Sequence, residues 1–242
     1  MLGLGNNLTN MLVPAAAATA SYTNEYSLNF DASNETVDFG NTCNLGTADF
    51  TLMCWVKASD WTSDFCLTKL PGGWDNYWYF GGLYDKLYFK QYEAGQTPVA
   101  CIFNGTISLV EHQDEWVHIA ISCNRGGVIT GYVNGAPDAG IYDYSGWNNA
   151  SQRTASSRDF DNTASFKCKG DGGAYSVVPS MMDEVAVFNA ALDDANIAAI
   201  YNDGTPIDML EAQGDYDTVD DLVSYWKFTE GEGSSAEDLV GS

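Results

Sequence analysis

Basic residues are scarce in this chain of 242 residues: ten Lys and Arg stand against 33 Asp and Glu, a formal net charge of −23. A field of that sign repels phosphate backbones and anionic lipid surfaces, which argues against nucleic acid and membranes as partners. It suits solubility in a salty medium, where screening shrinks self-repulsion, and equally the capture of cations by clustered carboxylates. Histidine is rarer still. His112 and His118 are the only two, and neither stands near a Ser or Cys nucleophile in an elbow motif or near sequence ligands for a His-rich metal site. His118, between Val117 and Ile119, is expected to be a hydrogen-bonded structural residue. The cysteines (Cys43, Cys54, Cys66, Cys101, Cys123 and Cys168) include no CxxC pair, so zinc-ribbon and thioredoxin-type spacing is absent. Cys54 and Cys123 fall in apolar strands, where a thiol acts as a small hydrophobe, and the cysteines are expected to be mostly reduced. No Lys or Arg precedes Lys57, so the opening stretch lacks the basic region of a secretory leader. No apolar run approaches the length of a membrane span. Residues 1–24 read instead as an extended arm that packs on a neighbouring subunit.

What is present is the alternation of an all-β protein. With 24 Gly, 14 Tyr and 7 Trp, the chain reads from Glu25 onwards as short strands separated by Gly, Asn and Asp. In DFTLMCWVKA, Phe50, Leu52, Cys54 and Val56 share one face, and Met53 and Trp55 the other. Both faces are apolar, so this strand is expected between layers. YWYFGGLYDKLYFKQYE holds two strands that turn at Gly81-Gly82 or at Tyr84-Asp85. Asn134-Gly135 is the strongest turn signal, since both residues tolerate positive φ. Residues 143–175, rich in Ser, Asn, Asp and Gly, predict a long loop. One short helix is expected near 193–203: Leu192, Ile197, Ile200 and Tyr201 share a face, Asp193 caps the start and Asp203-Gly204 closes it. An acidic linker, EAQGDYDTVDD, precedes a last strand, LVSYWKF. One domain accounts for residues 25–242.

The segments SLNFD, VDFG, FTLMCWVKA, EWVHIAI, GYVNG, MDEVAVFN with its following helix, and LVSYWKF occur in the order of a known family. Together, with Trp116, His118 and Ala120 in one block and Asp183-Glu184-Val185-Ala186 in another, they resemble the laminin G-like members of the concanavalin A-like lectin/glucanase superfamily across about residues 26–242. The resemblance implies a two-sheet antiparallel jelly-roll β-sandwich. The opening MLGLGNNLTN is similar to the start of structural proteins of marine tailed phages, which implies a virion component.

Glucanases on this fold carry acidic side chains at alternating positions of one strand, so that all face the cleft. Here the only acidic strand pair is Asp183-Glu184, whose neighbours in a regular strand point to opposite faces, and an enzyme is not expected. The resemblance also implies a structural calcium held by Asp183 with backbone carbonyls near Asp31 and Gly40; the bland reading has Asp183 bonding a turn. Loop aromatics, among them Trp61, Trp74, Trp78, Tyr142, Tyr144 and Trp147, suit a protein interface, a glycan site or plain packing, with Trp74, Trp78, Tyr144 and Trp147 the ligand or interface candidates. Two functions compete. One is a non-catalytic virion structural protein, a capsid decoration, cement or appendage subunit at the virion surface. Its residues 1–24 would dock on other virion proteins, and it would be a homo-oligomer within the assembly. The other is an extracellular carbohydrate-binding or adhesion module that attaches to cell-surface glycan.

Overall fold

The computed structural model describes residues 22, 24–31, 35–71, 76–94, 99–103, 108–138, 159, 161–169 and 179–241. The described strands run β1 (Leu28–Phe30), β2 (Val37–Asp38), β3 (Phe50–Ala58), β4 (Ser63–Lys69), β5 (Tyr77–Leu83), β6 (Lys86–Tyr92), β7 (Val99–Phe103), β8 (Trp116–Cys123), β9 (Ile129–Val133), β10 (Ala136–Asp138), β11 (Phe166–Cys168), β12 (Ser180–Phe188) and β13 (Leu222–Trp226). Helix α1 spans Asp194–Tyr201. All ladders are antiparallel and form two sheets. The first has the order β1-β12-β3-β8-β9-β10, with β13 also paired to β12; the second has the order β2-β11-β4-β5-β6-β7. This is the expected all-β sandwich with one short helix.

Period-two alternation decides which side chains fill the space between the sheets. Leu52, Cys54 and Val56 of β3, Val117, Ile119 and Ile121 of β8, and Val185 and Val187 of β12 meet Trp78, Phe80, Leu87, Phe89 and Phe166 of the second sheet. The opposite face of the first sheet is also apolar. Met53, Ala120, Ala186 and Phe188 lie there beneath Ile197 and Ile200 of α1. That double burial is why β3 is apolar on both sides.

Turn chemistry follows the residues. Tyr84 and Asp85 both take positive φ (53° and 59°), so β5 and β6 turn there and not at Gly81-Gly82, which stay within β5. Asn134 and Gly135 (φ 50° and 74°) close β9 onto β10. Helix α1 begins as its sequence predicts: the Asp193 side chain accepts a hydrogen bond from the Asn196 N–H at 2.9 Å. It ends at Asn202 in the left-handed region, one residue before the expected Asp203-Gly204. The acidic stretch after it is more than a linker. Its Tyr216 is buried against the first sheet with the preceding Ile207 and Met209, and the Tyr216 hydroxyl donates to the Met209 carbonyl at 2.8 Å.

Candidate functional site

The site begins with an irregularity in β12. The register against β3 shifts between Asp183 and Ala186, and Glu184 adopts a φ of 52°. Such a bulge re-aims side chains that a regular strand would send to opposite faces. Asp183 and Glu184 therefore converge, contrary to the alternation expected of a plain strand. The Asn24 amide nitrogen lies 3.0 and 2.9 Å from the two Asp183 carboxylate oxygens, 2.6 Å from Glu184 Oε1 and 3.0 Å from the Lys227 carbonyl. The Glu184 N–H donates to Asp183 Oδ1 at 2.9 Å. The hydroxyls of Tyr22 and Tyr225 donate to the two oxygens of Glu184. The Lys227 ammonium stands 4.2 Å from the centre of the Tyr22 ring and 3.7 Å from Asp208.

These contacts give the two acids different roles. Glu184 is 1% exposed and both its oxygens are engaged, so it cannot reach a ligand. Burial raises its pKa, offset in part by the tyrosine and Asn24 hydrogen bonds. Asp183 lines an open cleft of about 520 Å³. Burial and then the adjacent Glu184 push its pKa up to about 8. Burial and the Glu184 charge raise both tyrosine hydroxyls above their usual range. A hydrolytic pair needs two carboxyl groups facing the same bond. Of the pair Asp183 and Glu184, only Asp183 faces the cleft.

Aromatic side chains form much of the remaining cleft, alongside Glu25, Ser27, Met181, Gly204 and Pro206. Trp55 and Trp116 come from β3 and β8, whose register sets Trp55 opposite His118 and Lys57 opposite Trp116. Trp55 belongs to the floor, packed on His118 and Tyr201 at ring separations of 5.4 and 5.7 Å. Trp116, 38% exposed, and Tyr26, 50% exposed, form the rim. His118 is buried with no hydrogen-bond partner at either ring nitrogen, a correction to the hydrogen-bonded role expected of it. Burial pushes its pKa down to about 3.

Other expected site residues lie elsewhere. Trp78 is wholly buried in the inter-sheet core, 5.6 Å from Phe166, so packing is its role, and Trp61 is equally buried. Trp74, Tyr142, Tyr144 and Trp147 fall outside the described residues. The calcium set is not brought together. The ladder pairs Phe30 with Ser180, so Asp31 lies about 13 Å along the strand from the level of Asp183, at about 3.3 Å per residue. The Gly40 carbonyl accepts from Phe166 and Thr42 at 2.8 and 2.9 Å in the second sheet. The oxygens of Asp183 already face an amide and a backbone N–H, not a shell of donors to a cation. Among the described residues no three His, Cys, Asp or Glu side chains converge to hold a metal. Cys43, Cys54, Cys66, Cys123 and Cys168 are free thiols. No described helix is long and apolar enough to cross a membrane.

Sequence reasoning overlooked Tyr22, Asn24, Tyr26 and Trp116. Trp116 carried a usable signal, since it shares strand parity with His118 on the face away from the inter-sheet core. Asn24 carried none, because its role depends on a bulge far along the chain.

A family model described as the concanavalin A-like lectin/glucanases superfamily matches residues 31–198. No curated protein matches. Among solved structures, a putative carbohydrate binding protein from Bacteroides ovatus is 16% identical, with a TM-score of 0.51 over 89% of this chain and 55% of that one. The binding domain of botulinum neurotoxin serotype D is 13% identical, with a TM-score of 0.55 over 73% of this chain and 42% of that one. The binding domain of Paraclostridial Mosquitocidal Protein 1 is 13% identical, with a TM-score of 0.49 over 75% and 46%. The chain thus spans about half the length of each, and at these identities the likeness is one of fold.

Proposed function

The chain belongs to the concanavalin A-like lectin/glucanase superfamily, and from that premise we propose that it is a non-catalytic recognition module that binds glycan in the cleft above Asp183. The observation that carries this reading is the gathering of Tyr22, Tyr26, Trp55 and Trp116 around the polar pair Asp183 and Asn24. Aromatic faces stack on the C–H faces of sugar rings, and a carboxyl beside an amide bonds neighbouring hydroxyls. An apolar concavity with a few convergent polar groups is the usual form of such a site. Two solved proteins of this fold are described as a putative carbohydrate binding protein and a neurotoxin binding domain, and the reading carries that class of activity to this chain.

Glycan-array screening followed by calorimetry tests it. Binding should fall about two- to ten-fold in Trp116→Ala, since aromatic contacts contribute on the order of 0.5–1.5 kcal/mol, while the melting temperature stays put because the ring is at the rim. An array with no hit above background, or a Trp116→Ala variant that binds as the parent does, overturns the reading.

A finer reading sets this module on a virion, as a decoration, cement or appendage subunit whose first residues dock on the shell or a neighbouring copy. It draws on the phage-like opening sequence and on the anchoring of Tyr22 and Asn24 to β12 at the cleft. A chain cut before Tyr22 should fold and bind glycan yet fail to join particles. Unchanged incorporation removes this reading and leaves glycan binding intact.

A further inference from the structure

We propose that the sugar held in this cleft is cationic, an amino sugar with a free amine whose ammonium sits between the aromatic walls and the Asp183 carboxylate; this rests on the glycan-binding reading above. The charged residues that line the cleft are Glu25 and Asp183, and its remaining lining is aromatic, amide, hydroxyl or apolar. Aromatic faces present negative potential, and a cation within about 6 Å of a ring centre gains from it. One wall already hosts such a contact, since the Lys227 ammonium stands 4.2 Å from the Tyr22 ring centre. The net charge of −23 adds a field that concentrates cations and repels acidic sugars.

The carboxyl pair supplies a specific reason for a cation to bind. Asp183 faces Glu184 from its own strand, Tyr22 and Asn24 from the N-terminal segment, and Lys227 from beyond β13, with Glu25 also lining the cleft; Trp55 of β3 is uncharged. Lys227 rests on the Tyr22 ring and beside Asp208 and offsets the rise at Asp183 only in part, and Lys57 lies two residues beyond Trp55 on β3 without lining the cleft. The burial and like charge that keep Asp183 protonated at neutral pH are opposed once an ammonium arrives. Binding therefore ionises the carboxyl, and its proton passes to buffer.

Calorimetry of the full chain decides the matter with three β-linked oligomers of equal length, built of glucosamine, N-acetylglucosamine or glucose, and with trilysine as a fourth probe. The glucosamine oligomer should bind about ten-fold tighter than either other sugar, a gain of the size expected for a partly desolvated cation on aromatic rings. Its apparent enthalpy should vary with the ionisation enthalpy of the buffer, as proton release requires. Asp183→Asn should remove the preference for the glucosamine oligomer over the glucose oligomer, and a variant that keeps the ten-fold gap overturns the role of this carboxylate. Equal or tighter binding of the acetylated or neutral oligomer overturns the cationic ligand and leaves the glycan reading standing. Trilysine binding as tightly as the amino sugar overturns the sugar as the source of the ammonium. If none of the oligomers binds while an array reveals another glycan, only this inference fails; if the array is also blank, both do.

Discussion

The Asp183→Asn substitution is expected to stabilise the protein, increasingly so as pH rises. The Asp183 carboxyl releases its proton near 3.8 when unfolded and near 8 in the folded chain. Between those values the folded state holds a proton that the unfolded state has lost, so this residue's contribution is full below about pH 4 and fades as pH climbs through about 8. About four units at roughly 1.4 kcal/mol each set an upper bound of about 5 kcal/mol. Screening through the open side of the cleft reduces the expected difference to about 2–3 kcal/mol. The substitution preserves shape, and its amide oxygen can still accept from the Glu184 N–H and from Asn24, so the titration is the main change. Glu184, also raised by burial, contributes with the same sign to both proteins and largely cancels in the comparison. Urea unfolding followed by tryptophan fluorescence at about pH 5, 7 and 9 measures the gap, which should widen across the series. A gap that stays flat with pH, or a variant less stable than the parent at the alkaline end, refutes the reasoning.

Three further outcomes follow from the geometry. Asp64 and Lys169 are wholly buried, with the ammonium 2.7 Å from both carboxylate oxygens, so Lys169→Met strands a charge and should cost about 3–5 kcal/mol in thermal unfolding. Pairing it with Asp64→Leu should recover much of that loss, and a double variant no better than the single one contradicts the argument. At Gly131 a Cβ would stand 2.7 Å from Phe103 Cγ and 2.8 Å from Leu87 Cδ2, so Gly131→Ala should lower stability by about 1–3 kcal/mol; an unchanged denaturation midpoint would show that the two sheets yield more easily than their packing implies. Because the oxygens of Asp183 face N–H donors, EDTA should leave the melting temperature unchanged, and a fall of more than about 3 °C, about 1 kcal/mol for a domain of this size, would return a cation to β12.

Much of the sandwich is legible in the sequence because period-two patterning is a local property. The apolar faces of β3, the Asn134-Gly135 turn and the Asp193 cap are each determined within a few residues. The cleft is not. Its centre depends on Glu184 leaving strand geometry, and nothing in MMDEVAVF marks which residue will bulge. Once it does, two carboxylates that alternation separates converge on Asn24, a residue placed in an arm by its distance from the first apolar run. Trp78 misled for the opposite reason. By sequence it groups with the loop aromatics, whereas the strand Tyr77–Leu83 turns its ring into the core. Composition near a residue tells less than parity within its strand.

The outer strands have a further consequence. Among the described edge strands, β1 and β10 hold three residues each, β2 holds two and β7 holds five, and β10 includes Pro137, so all but β7 offer only a short row of edge amides. The exposed side of β13 is also covered, since the Tyr225 N–H donates to Asp238 Oδ1 and its carbonyl accepts from the Leu239 N–H, both at 2.9 Å. Along β1, β2, β10 and β13, copies crowded at high local density would therefore find little purchase for strand exchange. Many weak contacts could act together on one target, with avidity growing while every copy keeps its own fold.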